Sequence, residues 1–201
     1  GLNTNAGVVY VFEPAGGGSS QWTNTATLLP TTPQTGAAFG HSVAIVSGAV
    51  VVGADQEDVT SGSLLQSAGA AYVFELTTPN WTQVKRIVAS TPFANAGFGQ
   101  AVAISGLDEG TPDRMLISSR ENSGRVYGYR RVSNIWTSSM TLNPPIAQAG
   151  QEFGFSLSMD GDSALIGAHS FDLGGSNTGV VYGADFNNAF SSATLLQRAD
   201  P

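Results

Sequence analysis

Phe-Gly-His-Ser-Val-Ala-Ile is the sequence of residues 39–45, and its opening pair returns at Phe98-Gly99 and Phe153-Gly154. Apolar residues alternate with small or polar ones after each pair, which is typical of a strand buried on one face. The repeat therefore predicts a strand at each Phe-Gly pair, with a second strand close behind it. The second strands are the more apolar segments 49–54, 114–118 and 164–168.

A third predicted strand carries a tyrosine and occurs four times, once more than the Phe-Gly pair. The tyrosines, separated by 62, 55 and 55 residues, are Tyr10, Tyr72, Tyr127 and Tyr182. A fourth strand is expected after each of them, opened by an aromatic residue: Trp22, Trp81, Trp136 and Phe190. We expect these tyrosines and tryptophans to fill the space between neighbouring sheets.

Four strands every 55 to 62 residues is the rhythm of a β-propeller blade. The predicted fold is therefore an all-β propeller of four-stranded antiparallel blades. Fourteen strands make three and a half blades: a half blade at 1–33 that holds strands three and four, and full blades at 34–92, 93–147 and 148–201. A β-sandwich or a solenoid is the alternative interpretation.

The Phe-Gly pairs and the Gly-Ala steps at Gly53-Ala54 and Gly167-Ala168 resemble the FG-GAP repeats of integrin alpha-subunit heads and of bacterial surface and secreted proteins. The motif's proline is missing, and Asp55 and His169 take its place; the middle copy reads Ser118-Ser119-Arg120. The resemblance implies a non-catalytic extracellular module for binding, adhesion or self-assembly. Because such propellers usually have seven blades, we expect a homo-oligomer or a longer chain to complete the ring.

The composition excludes several classes of partner and site. Only 11% of the 201 residues are charged and the net charge is -7, which argues against nucleic acid, because phosphate binding draws on clustered Lys and Arg. The absence of cysteine excludes disulfides and Cys-ligated zinc. No apolar run is long enough to predict a membrane span. The polar, lightly charged sequence favours a secreted or cell-surface location.

The resemblance also implies where calcium would bind, since calcium-binding members carry alternating acids and a glycine between strands one and two. Only one such loop is long here, and its candidate ligands are Asp108, Glu109 and Asp113. Calcium takes six to eight oxygen ligands, whereas Leu107 stands where another acid is expected. A solvated acidic hairpin is therefore the alternative, and no other cofactor is expected.

Two long loops join strands two and three, and by propeller topology they lie on the same face as the loops that join strand four to strand one. Loops held by a rigid scaffold often carry the binding function of a fold. The candidate ligand-binding residues are Asp55, Glu57, Asp58, His169, Phe171 and Asp172. The expected ligand is a protein or a glycan, and variable solvated loops are the alternative.

Two further short patterns bear on modification and catalysis. Asn80-Trp81-Thr82 matches the N-glycosylation acceptor pattern. Gly40-His41-Ser42 faintly resembles a nucleophile elbow, but that motif needs a turn from a strand to a helix, and Ser42 lies within a predicted strand. We therefore expect no catalytic residues. A sugar-binding propeller lectin is the first alternative function, and a propeller enzyme is the second.

Overall fold

The computed structural model describes residues 4–16, 20–106, 113–186 and 194–196, the last three by their backbone. Short antiparallel strands make up nearly all of its regular structure. Within the described ranges a single 3-10 turn, Glu121–Ser123, is the one helical element. That part of the chain therefore holds no helix with the length and apolar character needed to cross a membrane.

The strands form one half blade and three full blades. The half blade pairs β1 (Val9–Pro14) with β2 (Trp22–Leu28). The first blade contains β3 (Ser42–Val46), β4 (Ala49–Ala54), β7 (Ala70–Thr77) and β8 (Asn80–Ile87), and a small hairpin of β5 (Val59–Ser61) and β6 (Ser63–Leu65) lies between β4 and β7. The second blade contains β9 (Val102–Ser105), β10 (Arg114–Ser119), β11 (Arg125–Val132) and β12 (Ile135–Leu142). The third blade contains β13 (Ser156–Asp160), β14 (Ser163–Ala168), β15 (Val180–Asp185) and β16 (Thr194–Leu196).

In every full blade the four strands pair in chain order, and all pairs are antiparallel. The chain is thus an all-β propeller segment of three and a half blades. The hairpin β5–β6 is an addition to the fourteen strands expected from the sequence. It lies inside the long loop between strands two and three of the first blade.

The hydrophobic core lies between consecutive sheets. One cluster joins the half blade to the first blade, through residues such as Val11, Leu28 and Phe39. A second joins the first blade to the second, and a third joins the second to the third. Each sheet therefore buries its apolar face against a neighbour, since a lone sheet would leave that area in water.

A repeated backbone contact, the docking turn, fixes each blade to the next. It is the three-residue turn before strand three, at Asn5-Ala6-Gly7, Ser67-Ala68-Gly69, Asn122-Ser123-Gly124 and Asn177-Thr178-Gly179. The first and last residues of each copy have positive φ. The carbonyl of the middle residue accepts a bond of 2.9 Å from the phenylalanine amide of the next blade, in the pairs Ala6–Phe39, Ala68–Phe98 and Ser123–Phe153.

The tryptophans expected between blades differ in burial. Trp136 is 2% exposed and its Nε1 donates to Glu75 of the first blade, 3.2 Å away. Trp81 is half-buried against the half blade, whereas Trp22 is 66% exposed. The difference has a physical reason, because each tryptophan packs against the preceding sheet, and no described sheet precedes Trp22.

Candidate functional site

The loops between strands two and three and between strands four and one form one surface, called here the loop face. Backbone hydrogen bonds tie these loops together across blades. Asn95 donates to the carbonyl of Gln66 at 2.8 Å, and Gly97 donates to that of Ser67 at 3.0 Å. The loop face is therefore a connected surface across the first and second blades.

Asp55 is a candidate ligand-binding residue, but it is buried between two blades. Its carboxylate forms an ion pair with Arg120 of the second blade, and its other oxygen lies 3.4 Å from Nδ1 of His41. A buried carboxylate needs such partners, because desolvation without them is costly. In this position the Asp55 side chain joins the first and second blades.

Glu57 is also buried, and it accepts two hydrogen bonds within the first blade. Tyr72 donates its hydroxyl at 2.6 Å and Arg86 donates its Nε at 2.7 Å. Burial, followed by the Glu57 carboxylate, raises the pKa of Tyr72. Burial alone would lower the pKa of Arg86, but the same carboxylate raises it. The three side chains form a closed network, and sequence reasoning could not find it.

The second blade repeats this network with Glu121, Tyr127 and Arg125. Glu121 accepts from the Tyr127 hydroxyl and forms an ion pair of 2.7 Å with Arg125. Burial, aided by the hydrogen bond to Glu121, raises the pKa of Tyr127 to about 12. Glu121 is thus the counterpart of Glu57. The docking-turn glycines confirm the match, because Gly69 donates to the Glu57 carbonyl and Gly124 to the Glu121 carbonyl, each at 2.8 Å.

In the third blade the same position holds Phe171, whose carbonyl accepts from Gly179 at 2.9 Å. Phe171 is buried, and Val180 stands where the second blade has Arg125. The buried Tyr182 hydroxyl has no hydrogen-bond partner among the described residues, and burial raises its pKa. Phe171 is therefore an apolar replacement for a carboxylate.

Asp58 and Asp172 shape their own loops. Oδ1 of Asp58 accepts from the amide of Ser67 at 2.9 Å, and Oδ1 of Asp172 accepts from the amide of Asn177. A glutamine from the loop between strands four and one clamps each aspartate backbone. Oε1 of Gln34 accepts from the Asp58 amide at 2.5 Å, and Oε1 of Gln148 accepts from the Asp172 amide at 2.6 Å. Both acids hold the loop face in a fixed conformation.

The exposed apolar residues of the loop face were not singled out from the sequence. They include Leu64, Phe93, Ile146 and Leu173, and each is exposed although its loop is anchored. Leu64 lies in the hairpin β5–β6, and the backbone of Gln66 from the same loop binds Asn95, two residues from Phe93. Apolar residues placed between Gly, Pro and Ser in a predicted loop were the signal that could have identified them.

His169 lies in an exposed cluster with Phe155, Ser170 and Glu152. Its Nε2 is 3.1 Å from the Ser170 hydroxyl, its Nδ1 is 3.4 Å from Glu152, and its ring centroid is 4.0 Å from that of Phe155. The order serine, histidine, carboxylate is that of a hydrolytic triad. However, the Ser170 amide donates to Gln151 and the Phe171 amide to Ala168, so neither is available to an oxyanion.

The comparisons with known proteins agree with the repeated geometry. The model of the FG-GAP repeat matches residues 22–74 and 136–183, about half of the chain in total. The chain belongs to the FG-GAP repeat family. No curated protein matches the FG-GAP chain.

Solved structures similar to this FG-GAP chain include a lectin and the protein Sqt1. A mutant of the Aleuria aurantia lectin in complex with Fucα1-6GlcNAc is 11% identical, with a TM-score of 0.53 over 99% of this chain and 56% of that chain. Sqt1 of Saccharomyces cerevisiae is 11% identical, with a TM-score of 0.43 over 79% of this chain and 35% of that chain. The FG-GAP chain thus spans only about a third to just over half of these structures, and the likeness to the lectin shows the fold alone.

Of the three calcium ligands implied by the FG-GAP resemblance, Asp113 lies within the described residues. Asp108 and Glu109 lie outside the described residues. Asp113 forms an ion pair of 2.7 Å with the buried Arg114, whose Nε lies 2.5 Å from Asp162 of the third blade. The Asp113 carboxylate is thus already engaged by a guanidinium. The described ranges contain no group of three or more His, Asp or Glu side chains suited to hold a metal.

The predicted glycosylation residue of the FG-GAP chain, Asn80, is the first residue of β8 and is exposed. It lies at the turn between strands three and four, which is on the opposite side of the blade from the loop face. A glycan there would leave the loop face uncovered. Its modification stays a prediction.

Proposed function

We propose that this FG-GAP chain is a non-catalytic extracellular binding module and that its loop face holds a protein partner in adhesion or assembly. The observation that carries the proposal is the set of exposed apolar side chains on anchored loops, namely Leu64, Phe93, Ile146 and Leu173. Loops held by a rigid scaffold often carry the binding function of a fold, and exposed apolar groups on them offer a partner area to bury. The buried acids Asp55 and Glu57 lie beneath this surface, where their hydrogen bonds and ion pairs stabilise its loops.

Anchoring of the loops favours binding because less conformational freedom is lost when the partner arrives. Gln34 and Gln148 hold the two long loops through paired bonds to the backbone of Asp58 and Asp172. A partner would therefore meet a surface that is already formed. The lightly charged composition and the family supply the support for an extracellular location.

The proposal is tested by binding to a panel of immobilised extracellular matrix and cell-surface proteins. We expect the double variant Leu64→Ser and Phe93→Ser to lose binding about 10-fold or more, because apolar anchors near the centre of an interface dominate affinity. The matched control is Val132→Ser with Ile135→Ser, which alters two exposed apolar residues on the turn between β11 and β12. Equal binding by both double variants would contradict the proposal.

The non-catalytic part is tested at Ser170, the hydroxyl next to His169. We expect a fluorophosphonate reagent, which labels activated serines, to leave Ser170 unmodified in the intact protein, because the neighbouring amides are engaged and the histidine is half-exposed. Peptide mapping after treatment is the measurement. Labelling of Ser170 that is lost in His169→Ala would support a hydrolase instead.

Glycan binding is the second candidate function. Two observations favour it: the fold similarity to a lectin whose structure contains Fucα1-6GlcNAc, and the exposed Phe155 ring beside His169. Aromatic faces with neighbouring polar groups suit sugar rings. A glycan array separates the two functions: hits that disappear in Phe155→Ala favour the lectin, whereas an empty array favours a protein partner.

A further inference from the structure

The loop face has a gap over the second blade. The connection between strands two and three is long in the first and third blades, at residues 55–69 and 169–179, and short in the second, at residues 120–124. The second blade lies between the other two, since the apolar clusters join the full blades in chain order. The gap is therefore bordered on each side by a long loop.

The turn that enters the second blade differs from its two counterparts. Each full blade is entered through a turn that is closed by a backbone bond between its first and fourth residues, in the pairs Gln34–Ala37, Phe93–Ala96 and Gln148–Gln151. In the first and third blades the first residue is the glutamine that clamps the aspartate of the long loop. In the second blade it is Phe93, which is 50% exposed. A phenylalanine thus replaces the clamp where no long loop covers it.

Backbone bonds hold the turn at Phe93 on two sides. Towards the first blade, the Asn95 amide donates to the carbonyl of Gln66 at 2.8 Å. Within the second blade, the Arg120 amide donates to the carbonyl of Ala96 at 2.6 Å. The floor of the gap is therefore already ordered, and an occupant would lose little affinity to ordering it.

A second apolar side chain borders the gap on the side of the first blade. Leu64 lies in the hairpin β5–β6, two residues before Gln66, and is 61% exposed. An occupant that covers Leu64 and Phe93 removes two large apolar groups from water, which favours binding. Because long loops border the gap on both sides, this occupant must be narrow, as an extended segment of chain is.

The charges around the gap have their acids buried and their cations turned outwards. The buried acids of these loops in the first two blades are Asp55, Glu57 and Glu121. The side chains of their partners are 42%, 36% and 24% exposed, respectively Arg120, Arg86 and Arg125. Asp58 already accepts a bond from a backbone amide. Guanidinium groups bind carboxylates through charge-assisted bonds, so the exposed charge favours an acidic occupant.

We propose that the gap binds an extended acidic segment of a protein partner. One apolar residue of that segment packs on Phe93, and its carboxylates pair with Arg120 and Arg125. The inference rests on the proposed function and deepens it, because it states which part of the partner the loop face holds. A basic segment and a purely apolar surface are the alternative occupants, and peptides of different charge distinguish them.

The test is fluorescence anisotropy of the intact protein with the labelled peptide Gly-Ser-Glu-Asp-Leu-Asp-Glu-Ser-Gly. We expect affinity to fall about 10-fold or more when lysines replace the acids, and again when serine replaces the leucine, because ion pairing and apolar burial are lost. Affinity should also fall between about 50 and about 500 mM NaCl, since salt screens exposed charges. Equal binding of the three peptides, or tighter binding of the lysine peptide, would overturn the proposal.

A variant of the protein locates the contact. Phe93→Gln copies the glutamine of the other two entry turns, and we expect it to weaken binding of the acidic peptide about 10-fold or more, because it removes the central apolar anchor. Val132→Gln is the matched control: Val132 is 57% exposed in the same blade, at the turn between β11 and β12, and its loss should leave the affinity unchanged. Equal affinities of the two variants would overturn the site.

Amide hydrogen exchange with and without the acidic peptide gives a second measurement, which does not depend on a substitution. We expect slower exchange at residues 93–97 and 120–124 when the peptide is bound, because the segment covers their backbone. Protection confined to other parts of the chain would overturn the site.

Failure of this inference differs from failure of the proposed function. The inference is overturned if the acidic peptide does not bind at about millimolar concentration while Leu64→Ser with Phe93→Ser still abolishes binding to a matrix or cell-surface protein. In that case the loop face holds a partner by another kind of surface. Binding of the peptide through Phe93, with no protein of the panel bound, would support the gap and overturn the proposed adhesion.

Discussion

The backbone tolerates little change at the glycines of the three docking turns that bind a phenylalanine amide, Gly7, Gly69 and Gly124. A Cβ added to Gly69 would lie 2.2 Å from the Phe98 carbonyl oxygen, and one added to Gly7 would lie 1.9 Å from that of Phe39. Both residues also have positive φ, where a side chain is disfavoured. A side chain at either glycine would therefore cost free energy in two independent ways, through a steric clash and through backbone strain.

We expect Gly69→Ala to lower the free energy of unfolding by about 3 kcal/mol or more, because the left-handed backbone and the clash with a neighbouring blade add together. Gly62→Ala is the control, since Gly62 has a similar φ but open space around it, and its expected cost is about 1 kcal/mol. Urea unfolding of both variants measures the difference. Equal losses would show that the blade contact is unimportant.

The pKa of Tyr127 predicts how stability changes at alkaline pH. Burial and Glu121 raise it from 10.0 to about 12, so the folded protein keeps the proton longer than the unfolded chain. Stability is then fully present below about pH 10 and falls as pH rises towards about 12. Tyr72 and Tyr182 shift in the same direction. Urea unfolding in pH steps checks this, and Tyr127→Phe should make the decline shallower; an unchanged decline would contradict the explanation.

Phe171 stands in the third blade where the other two full blades have a buried glutamate, so it tests the cost of burying a carboxylate there. We expect Phe171→Glu to destabilise the protein by about 3 kcal/mol or more, because the new carboxylate would be buried without a cation. Adding Val180→Arg, which copies Arg125 of the second blade, should recover part of the loss. Thermal unfolding of the single and double variants is the measurement. A single variant as stable as the unchanged protein would refute the equivalence of Phe171 with Glu121.

At the scale of elements, the loop between β4 and β7 depends on a side-chain clamp. Gln34→Ala removes two bonds to Asp58, each worth about 1 kcal/mol. We expect faster hydrogen exchange in β5 and β6 and little change in global stability, because the sheets do not use this clamp. Gln56→Ala, at an exposed neighbouring glutamine, serves as the control; equally fast exchange in both variants would argue against the clamp.

The repeated strands could be predicted because each keeps its period-two pattern and its marker residue, such as Phe98 or Tyr127. The hairpin β5–β6 could not, since Val59–Ser61 and Ser63–Leu65 are too short to show a period. The candidate acids were expected to bind a ligand on the loop face, because loops held by a rigid scaffold often carry the binding function. Asp55 and Glu57 are buried instead, and each pairs with an arginine that is distant in sequence. Arg120 lies 65 residues from Asp55, and Arg86 lies 29 residues from Glu57. No local sequence pattern reveals such pairs.

At the scale of the whole molecule, the apolar clusters between sheets make each blade depend on its neighbour. An apolar cleft between β1 and the first blade and the exposed Trp22 lead us to expect that the protein at high concentration does not remain a single species of 20.7 kDa. Sedimentation velocity over a range of concentrations measures this. A constant monomer mass would contradict it, and Trp22→Ser is expected to reduce the association because it removes the largest exposed aromatic group.

The docking turns also give the row of blades a direction, because each turn binds the phenylalanine amide of the blade that follows it in the chain. The docking turn of the third blade, Asn177-Thr178-Gly179, has the same left-handed backbone as the three copies that bind a phenylalanine amide. Repeat units can accordingly be added, removed or reshuffled by gene duplication without a new kind of backbone contact, provided that every docking turn is still followed by a Phe-Gly pair.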